Sequence, residues 1–519
     1  MRSHYIRAVL LATVFVTNLT GASAVIPLVD AVKLGEREAV RVLLGRHVDV
    51  NRAEVDGTTA LHWAVRAGDL DMVKLLLRAG AKATQANRYG VTPLALAAIN
   101  GHAGVIEALL KAGADPDTAT LEGETALMTA ARTGHVDAVK VLAAHRANVN
   151  AREHWLGETA LMWAASENHA DVVRTLVEAG ADINARSTVL EPPVLEFPRS
   201  GGPNSPFPRG GWTPLMFAAR DGALESARTL AELGADLNLT ALPETDIALK
   251  DADLKAAANG AGTTALVLAI INVHYDLAAM LLTKGADPNI ADLSGMAALY
   301  AAVDMNSLQW VQGRPAPILT DTLPGVGLVK VLLEHRADPN ARLKTGPLKR
   351  HHDAGSTLNF REGTTSLIRA ARTNDLAVMK LLLEAGADPF LTLPDRTNVL
   401  MIAAGVGYGG LRGEGPRIVV PTEEAAIGAI QLLIDRGLDV RAFNDAGTTA
   451  LHGAIGRGDA VVRFLAEHGA ELSAKNKAGF TALDLALGGG GRPGGGPPVV
   501  RESTASLLRQ LMNKETARH

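Results

Sequence analysis

Few residues in this sequence could do chemistry, and each candidate pattern falls short of what that chemistry needs. Gly405-Val406-Gly407-Tyr408-Gly409-Gly410 spells G-x-G-x-x-G, the turn that lets a backbone approach a dinucleotide pyrophosphate. That use requires a strand before the turn and a helix opening within it. Here the motif follows a short helical stretch, so it reads as a loop. The run from Gly488 to Gly496 lacks the Gly-Lys-Ser/Thr ending of a phosphate loop. His351-His352-Asp353 is the densest metal-like cluster. Adjacent histidines have neither the i, i+4 helical spacing nor partner cysteines, so no metal ligand set is assigned. The chain has no cysteine at all, which removes disulfides, thiolate metal sites and a cysteine nucleophile. No Ser/His/Asp arrangement is identifiable from sequence order, and no cofactor is implied.

Composition narrows the class further. Of 519 residues, 47% are hydrophobic but only 4% aromatic, so any core is built mainly from Leu, Ala, Val and Ile. The 51 basic and 55 acidic residues leave a formal net charge of −4, without the basic footprint of a nucleic-acid binder. Mean hydropathy is +0.11, too low for a polytopic membrane protein. The N-terminus has the form of a processing signal: Arg2, His4 and Arg7 make a basic head, and Ala8 to Leu19 is a short apolar stretch. Ala22-Ser23-Ala24 then supplies the small-x-small pattern of a cleavage site. The expectation is an exported protein, periplasmic or secreted, cut after Ala24, with a membrane attachment only if that segment is retained.

The elements that must position any site emerge from an internal repeat. Gly57-Thr58-Thr59-Ala60-Leu61-His62 returns as Gly90-Val91-Thr92-Pro93-Leu94 and as Gly123-Glu124-Thr125-Ala126-Leu127. It recurs at Thr159, Thr213, Thr264, Ala297, Thr365, Asn398, Thr449 and Thr481, with a degenerate first copy at Ile26-Pro27-Leu28. The underlying period is roughly 33 residues. A second signature, Leu75-Leu76-Leu77-Arg78-Ala79-Gly80-Ala81, follows at fixed distance and reappears through Leu109-Leu110 and Leu381-Leu382-Leu383. Thr59 and its equivalents stand where a hydroxyl can cap a helix, and Pro27, Pro93 and Pro214 follow where a missing N–H costs nothing. The first helix of each unit is Ala-rich, and the second carries Val73, Leu76 and Leu77 on one face. It ends at a glycine suited to a left-handed backbone. His47, Arg146 and Arg336 replace that glycine in three copies, where local strain is expected.

Two linked motifs in fixed register over most of the chain resemble the ankyrin repeat. The resemblance implies an all-α solenoid of about twelve helix-turn-helix repeats, with short hairpin loops and several long insertions. On that register residues 1–24 are a signal peptide, 25–186 repeats one to five, and 187–210 a Pro/Gly-rich insertion. Residues 211–404 hold repeats six to nine and the first helix of repeat ten, with insertions near 241–262, 304–326 and 343–362. A Gly-rich insertion at 405–423 precedes the rest of repeat ten, repeat eleven and the first helix of repeat twelve (424–487). A Gly/Pro-rich insertion at 488–500 leads to a final helix and tail at 501–519. No stretch outside the repeats exceeds about 25 residues, against about 50 for a small independent domain.

The histidines mostly occupy repeat positions. In ankyrin-like proteins, residues such as His62, His452, His102, His135, His169 and His274 are hydrogen-bonding scaffold. Trp63, Trp163 and Phe217 share one position on the first helix, which implies packing. The resemblance points to a non-catalytic scaffold holding a protein partner by its hairpin tips and first helices. Register selects Tyr89, Trp155 and Trp212 near the tips, with Arg66, Arg132, Arg220 and Arg372 on first helices. These are residue types that dominate interface energetics. An enzyme assembled from the rim insertions and a self-associating envelope scaffold are the alternatives, and neither nucleic acid nor a small-molecule cofactor is expected.

Overall fold

The computed structural model describes residues 27–189, 210–241, 262–307, 321–344, 362–407, 422–489 and 499–516. These contain twelve successive helix pairs, from Leu28–Lys33 with Arg37–Gly45 to Ala482–Ala486 with Glu502–Thr516. Among the described residues there is no strand beyond isolated bridges such as Ala53 with Thr59. Each first helix packs on its own second helix and on the first helix of the next repeat. The result is a two-layered, all-α solenoid with one continuous apolar core from Leu28 to Leu508. Ala97-Ala98, Ala130-Ala131 and Ala164-Ala165 are fully buried in the first-helix layer, where small side chains let neighbouring helices approach.

The caps show why these short segments are helical. Thr92 Oγ1 accepts the Ala95 N–H at 3.1 Å and Thr213 Oγ1 the Met216 N–H at 3.3 Å, each satisfying an orphan donor of the first turn. The threonine's own N–H is satisfied in three chemically different ways. His62 and His452 take it on Nδ1 at 3.2 Å, Met128 and Met162 on sulfur at 3.5 Å, and Asp484 on Oδ2 at 2.8 Å. The histidines do more, because their Nε2–H donates to the carbonyl of Val91 or Phe480 in the following repeat, both at 3.1 Å. Burial lowers the pKa of both rings below the ordinary imidazole value.

A second set of histidines seals the turns within each pair. A Cβ on Gly68 would sit 2.5 Å from the His102 ring. His135, His169 and His274 fill the same space over Gly101, Gly134 and Gly222. The Nε2–H of His169 donates to the Arg132 carbonyl at 3.0 Å, and that of His274 to the Arg220 carbonyl at 3.2 Å. At the far end of the second helix, His47, Arg146 and Arg336 have φ of 57°, 65° and 64°. The left-handed conformation is therefore kept without glycine, at a cost of about 1–2 kcal/mol per residue.

An asparagine ladder, not read from the sequence, joins consecutive repeats. Asn51 Nδ2 donates to the Gly80 carbonyl at 3.1 Å while its Oδ1 accepts the Lys82 N–H at 2.8 Å. Asn150 repeats this with Gly180 and Asp182, Asn289 with Arg336 and Asp338, and Asn340 with Gly386 and Asp388.

The first helix of repeat eight, Ala298–Ser307, continues past the boundary expected near residue 304. The residues leading into the following helix, Gly325–Glu334, are held by the preceding repeat: Asp276 accepts the N–H groups of Thr322 at 2.8 Å and Leu323 at 3.0 Å. The final helix, Glu502–Thr516, falls within the expected 501–519 and buries Leu507 and Leu508. The bulk of each insertion lies outside the described residues, as does His351-His352-Asp353.

Two outcomes follow for stability. Leu76 is fully buried between stacked second helices, so Leu76→Asp places an unpaired charge there. It should cost roughly 4 kcal/mol or more, seen as loss of the first part of a urea unfolding curve. For His62 and His452 the folded pKa is depressed, so the unfolded chain binds protons first. Their stabilisation is complete above about pH 6.5 and declines as pH falls below it. A His62→Gln/His452→Gln variant, which keeps a side-chain acceptor, should lose less stability than the parent between pH 7 and 5 in thermal melts.

Candidate protein-binding surface

In repeats two to five the hairpins close through backbone bonds: Glu54 N–H to Thr58, Asn87 to Val91, Thr120 to Glu124 and Glu153 to Glu158, at 2.8–3.1 Å. Adjacent tips are tied as well, with Arg88 N–H on the Asp56 carbonyl at 2.9 Å and His154 N–H on Glu122 at 2.8 Å. Each of these four consecutive tips exposes one large apolar side chain: Val55 84%, Tyr89 74%, Leu121 85% and Trp155 75%. The equally regular tips of repeats eleven and twelve carry Asp445-Ala446 and Lys477-Ala478 instead. Tyr89 and Trp155 were legible in the sequence. Val55 and Leu121 were not, because one apolar residue in a polar hairpin has no periodic signal.

Behind the tips the first helices form a floor of aromatic rings covered by cations. Trp63 is partly buried, and its indole N–H donates to Glu54 at 2.7 Å. Lys33 Nζ lies 4.5 Å above the ring and 2.5 Å from Glu54, and the Arg66 guanidinium is 5.3 Å from the same ring. Hydrogen bonds from Lys33 and then Trp63 hold the Glu54 carboxyl below its ordinary range. Three repeats on, Trp163 donates to Glu158 at 2.6 Å and lies 4.8 Å beneath Arg132, which pairs with Glu124 at 3.1 Å. Here burial dominates and raises the Glu158 pKa, helped by the carboxylates of Glu153 and Asp221. Such cation–π contacts are each worth about 0.5–1 kcal/mol at exposed sites.

Trp212, Phe217 and Arg220 continue the floor into repeat six. The two rings meet edge to face at 5.6 Å, and Arg220 lies 5.3 and 5.0 Å from them while pairing with Asp221 at 2.6 Å. Trp212 therefore departs from its expected place near a tip. It is partly buried beside the Thr213 cap, its backbone N–H donating to Ser187 Oγ at 3.0 Å. The position shared by Trp63, Trp163 and Phe217 is taken in repeat nine by Arg369, buried in an ion pair with Asp304 at 2.5 Å. Arg372, one turn further along that helix, is partly buried, and its carbonyl accepts from Arg457 at 3.3 Å. Arg66, Tyr89, Arg132, Trp155, Trp212 and Arg220 thus share repeats two to six, and Arg372 lies apart from them.

The remaining motifs have scaffold settings. Gly405 and Gly407 follow the helix Val399–Ala403, with no strand before them, and Tyr408 to Gly410 lie outside the described residues. Among the described residues there is no group of three or more His, Asp or Glu placed to hold a metal ion. No helix there is long and apolar enough to cross a membrane.

Family models described as ankyrin repeats match residues 28–120, 113–187 and 423–492 in a three-copy form and 161–231 in a many-copy form. The single-repeat form matches 261–293 and 362–392. Neurogenic locus notch homolog protein 1 of Xenopus tropicalis is 31% identical over 180 residues. The match takes in 34% of this chain and 6% of that protein, so the chain spans only a small part of this relative's length. The ankyrin repeat domain of human ASB11 is 25% identical, matching 51% of this chain and 99% of that one, at a TM-score of 0.38. With matched spans covering most of the chain and twelve stacked helix pairs in the matching register, the chain belongs to the ankyrin repeat family.

Proposed function

We propose that the protein is a non-catalytic scaffold that binds a partner protein through the hairpin tips and first-helix floor of repeats two to six. Ankyrin repeats generally mediate protein–protein interaction. The observation that carries the reading to this part of the array is the row of four exposed apolar tips, Val55, Tyr89, Leu121 and Trp155. A soluble chain leaves such a row uncovered only against a solvation cost, which a partner relieves. The floor beneath is already ordered: Trp63 and Trp163 are each fixed by a carboxylate and a cation. Ordered anchors lower the entropic cost of association.

We further propose that the protein is exported, on the strength of the basic head, the apolar stretch from Ala8 to Leu19 and Ala22-Ser23-Ala24. Residues 1–26 lie outside the described residues.

Three experiments check these readings. A photo-reactive amino acid at Tyr89 or Trp155 should crosslink a partner in the producing cell, and one at Lys477, on a polar tip, should not. Against that partner, Tyr89→Ala/Trp155→Ala should weaken binding at least tenfold with an unchanged circular dichroism spectrum, as expected for aromatic anchors worth about 2 kcal/mol each. Unchanged affinity in the folded double variant overturns the site. For export, the intact mass of the isolated protein should correspond to a chain starting at Val25, and a mass retaining residues 1–24 refutes cleavage.

A further inference from the structure

Asp292 is a buried acid outside both the helix caps and the binding surface. It closes the hairpin of repeat eight, its N–H donating to the Met296 carbonyl at 3.0 Å. In repeats three, eleven and twelve the same place is held by Asn87, Asn444 and Asn476. The Asn444 amide shows what that place asks for. Its Oδ1 accepts the N–H groups of Ala446 and Thr448, both at 3.0 Å, and its Nδ2 donates to Thr397 Oγ1 of the preceding tip at 3.0 Å. Asp292 reproduces only the first half. Its Oδ1 accepts the N–H groups of Ser294 and Met296, both at 2.9 Å, and the Ser294 hydroxyl at 2.5 Å. Its Oδ2 has no hydrogen-bond partner, and the residue is only 3% exposed.

This arrangement suits a neutral group. All three donors crowd one oxygen, as on an amide carbonyl, while an ionised carboxyl would spread its charge onto a second oxygen that meets no donor. Burial of that oxygen raises the Asp292 pKa in spite of the three donors and of Lys344. Lys344, exposed on the hairpin of repeat nine, is the described charge that acts on it, and Arg342 and Glu362 line the same surface. From repeat seven Gly262 approaches without a charge, a Cβ there lying 3.2 Å from Asp292 Cα. The hairpin is also a joint. The Lys344 N–H donates to the Ser294 carbonyl at 2.8 Å, and a Cβ on Gly295 would lie 2.8 Å from the Arg342 carbonyl oxygen.

We infer that Asp292 is a pH-sensitive latch joining the hairpins of repeats eight and nine. Protonated, it stands in for the asparagine of other repeats and holds the Ser294 turn on which the Lys344 backbone docks. Ionised, it leaves a charge buried in that turn and releases the contact. A group whose folded pKa is raised contributes stability that is complete below the unfolded value of about 3.9 and is lost as pH rises through the folded value. The sign is opposite to that of His62 and His452, which lie at other junctions. The latch is independent of the binding surface on repeats two to six.

The test is amide hydrogen exchange of the full chain, read by mass spectrometry on peptides covering residues 290–300 and 338–344 and corrected for the intrinsic pH dependence of exchange. In the parent, protection there should fall at least tenfold between about pH 4 and pH 8, the change that one unit of raised pKa produces. Asp292→Asn, which places there the residue found at Asn444, should keep the same protection at both pH values. Lys344→Gln retains the backbone N–H but removes the opposing charge, so it should deepen the loss at high pH. Equal pH dependence in the parent and Asp292→Asn overturns the latch. So does lower protection in Asp292→Asn than in the parent at high pH, the result expected of a carboxylate kept charged by its donors and Lys344.

Discussion

No repeat in this protein is complete without the next one. A helix of seven residues cannot hide its apolar face or satisfy its ends alone, and here both tasks are handed to a neighbour. The His62 imidazole caps its own helix with one nitrogen and holds the following hairpin with the other. His102 fills the space over Gly68, and Asn51 completes the carbonyl of Gly80. Stability is then close to a sum over junctions, and insertions between helices are tolerated because the junctions on either side remain intact. Asp276 illustrates this by anchoring, from the adjacent repeat, the residues that lead into the helix Gly325–Glu334.

The same dependence prepares the surface. Trp163 is positioned from repeat five, yet the cation over its ring, Arg132, comes from repeat four. Lys33 of repeat one covers Trp63 of repeat two in the same way. These pairs exist only in the stacked array, so the floor is ordered by folding and not by a ligand. Repeat nine shows the alternative: an arginine at the aromatic position, closed off in an ion pair with Asp304.

Much of the architecture was legible because it is periodic. Threonine caps, the alanine-rich first helix and the terminal glycine recur in register, so the number of repeats and the residues facing the core could be read from residue types alone. The scaffold role of the histidines came with the family resemblance, and their hydrogen bonds bear it out. What escaped lacks a period or needs two repeats at once. Val55 and Leu121 are single apolar residues in polar hairpins. Trp212 looks like a tip residue by register but turns inward onto Phe217. The covering of indoles by cations from the preceding helix depends on an inter-repeat distance that no local pattern encodes.

The asparagine ladder has a mechanical consequence. Where the ladder runs, pulling the ends of the array apart loads paired hydrogen bonds at each junction in series. Five of the eleven rungs are substituted, by Thr84, Asp117, Phe390, Arg441 and Ser473: Asp117 still accepts the Asn148 N–H at 2.7 Å and Arg441 still donates to the Gly469 carbonyl at 2.9 Å, whereas Phe390, between repeats nine and ten, lays its ring over Gly437. At the latter place a contact without direction replaces two that resist sliding. A solenoid built this way does not stretch evenly; it yields first at its missing rungs, leaving the segments between them to move as stiff rods.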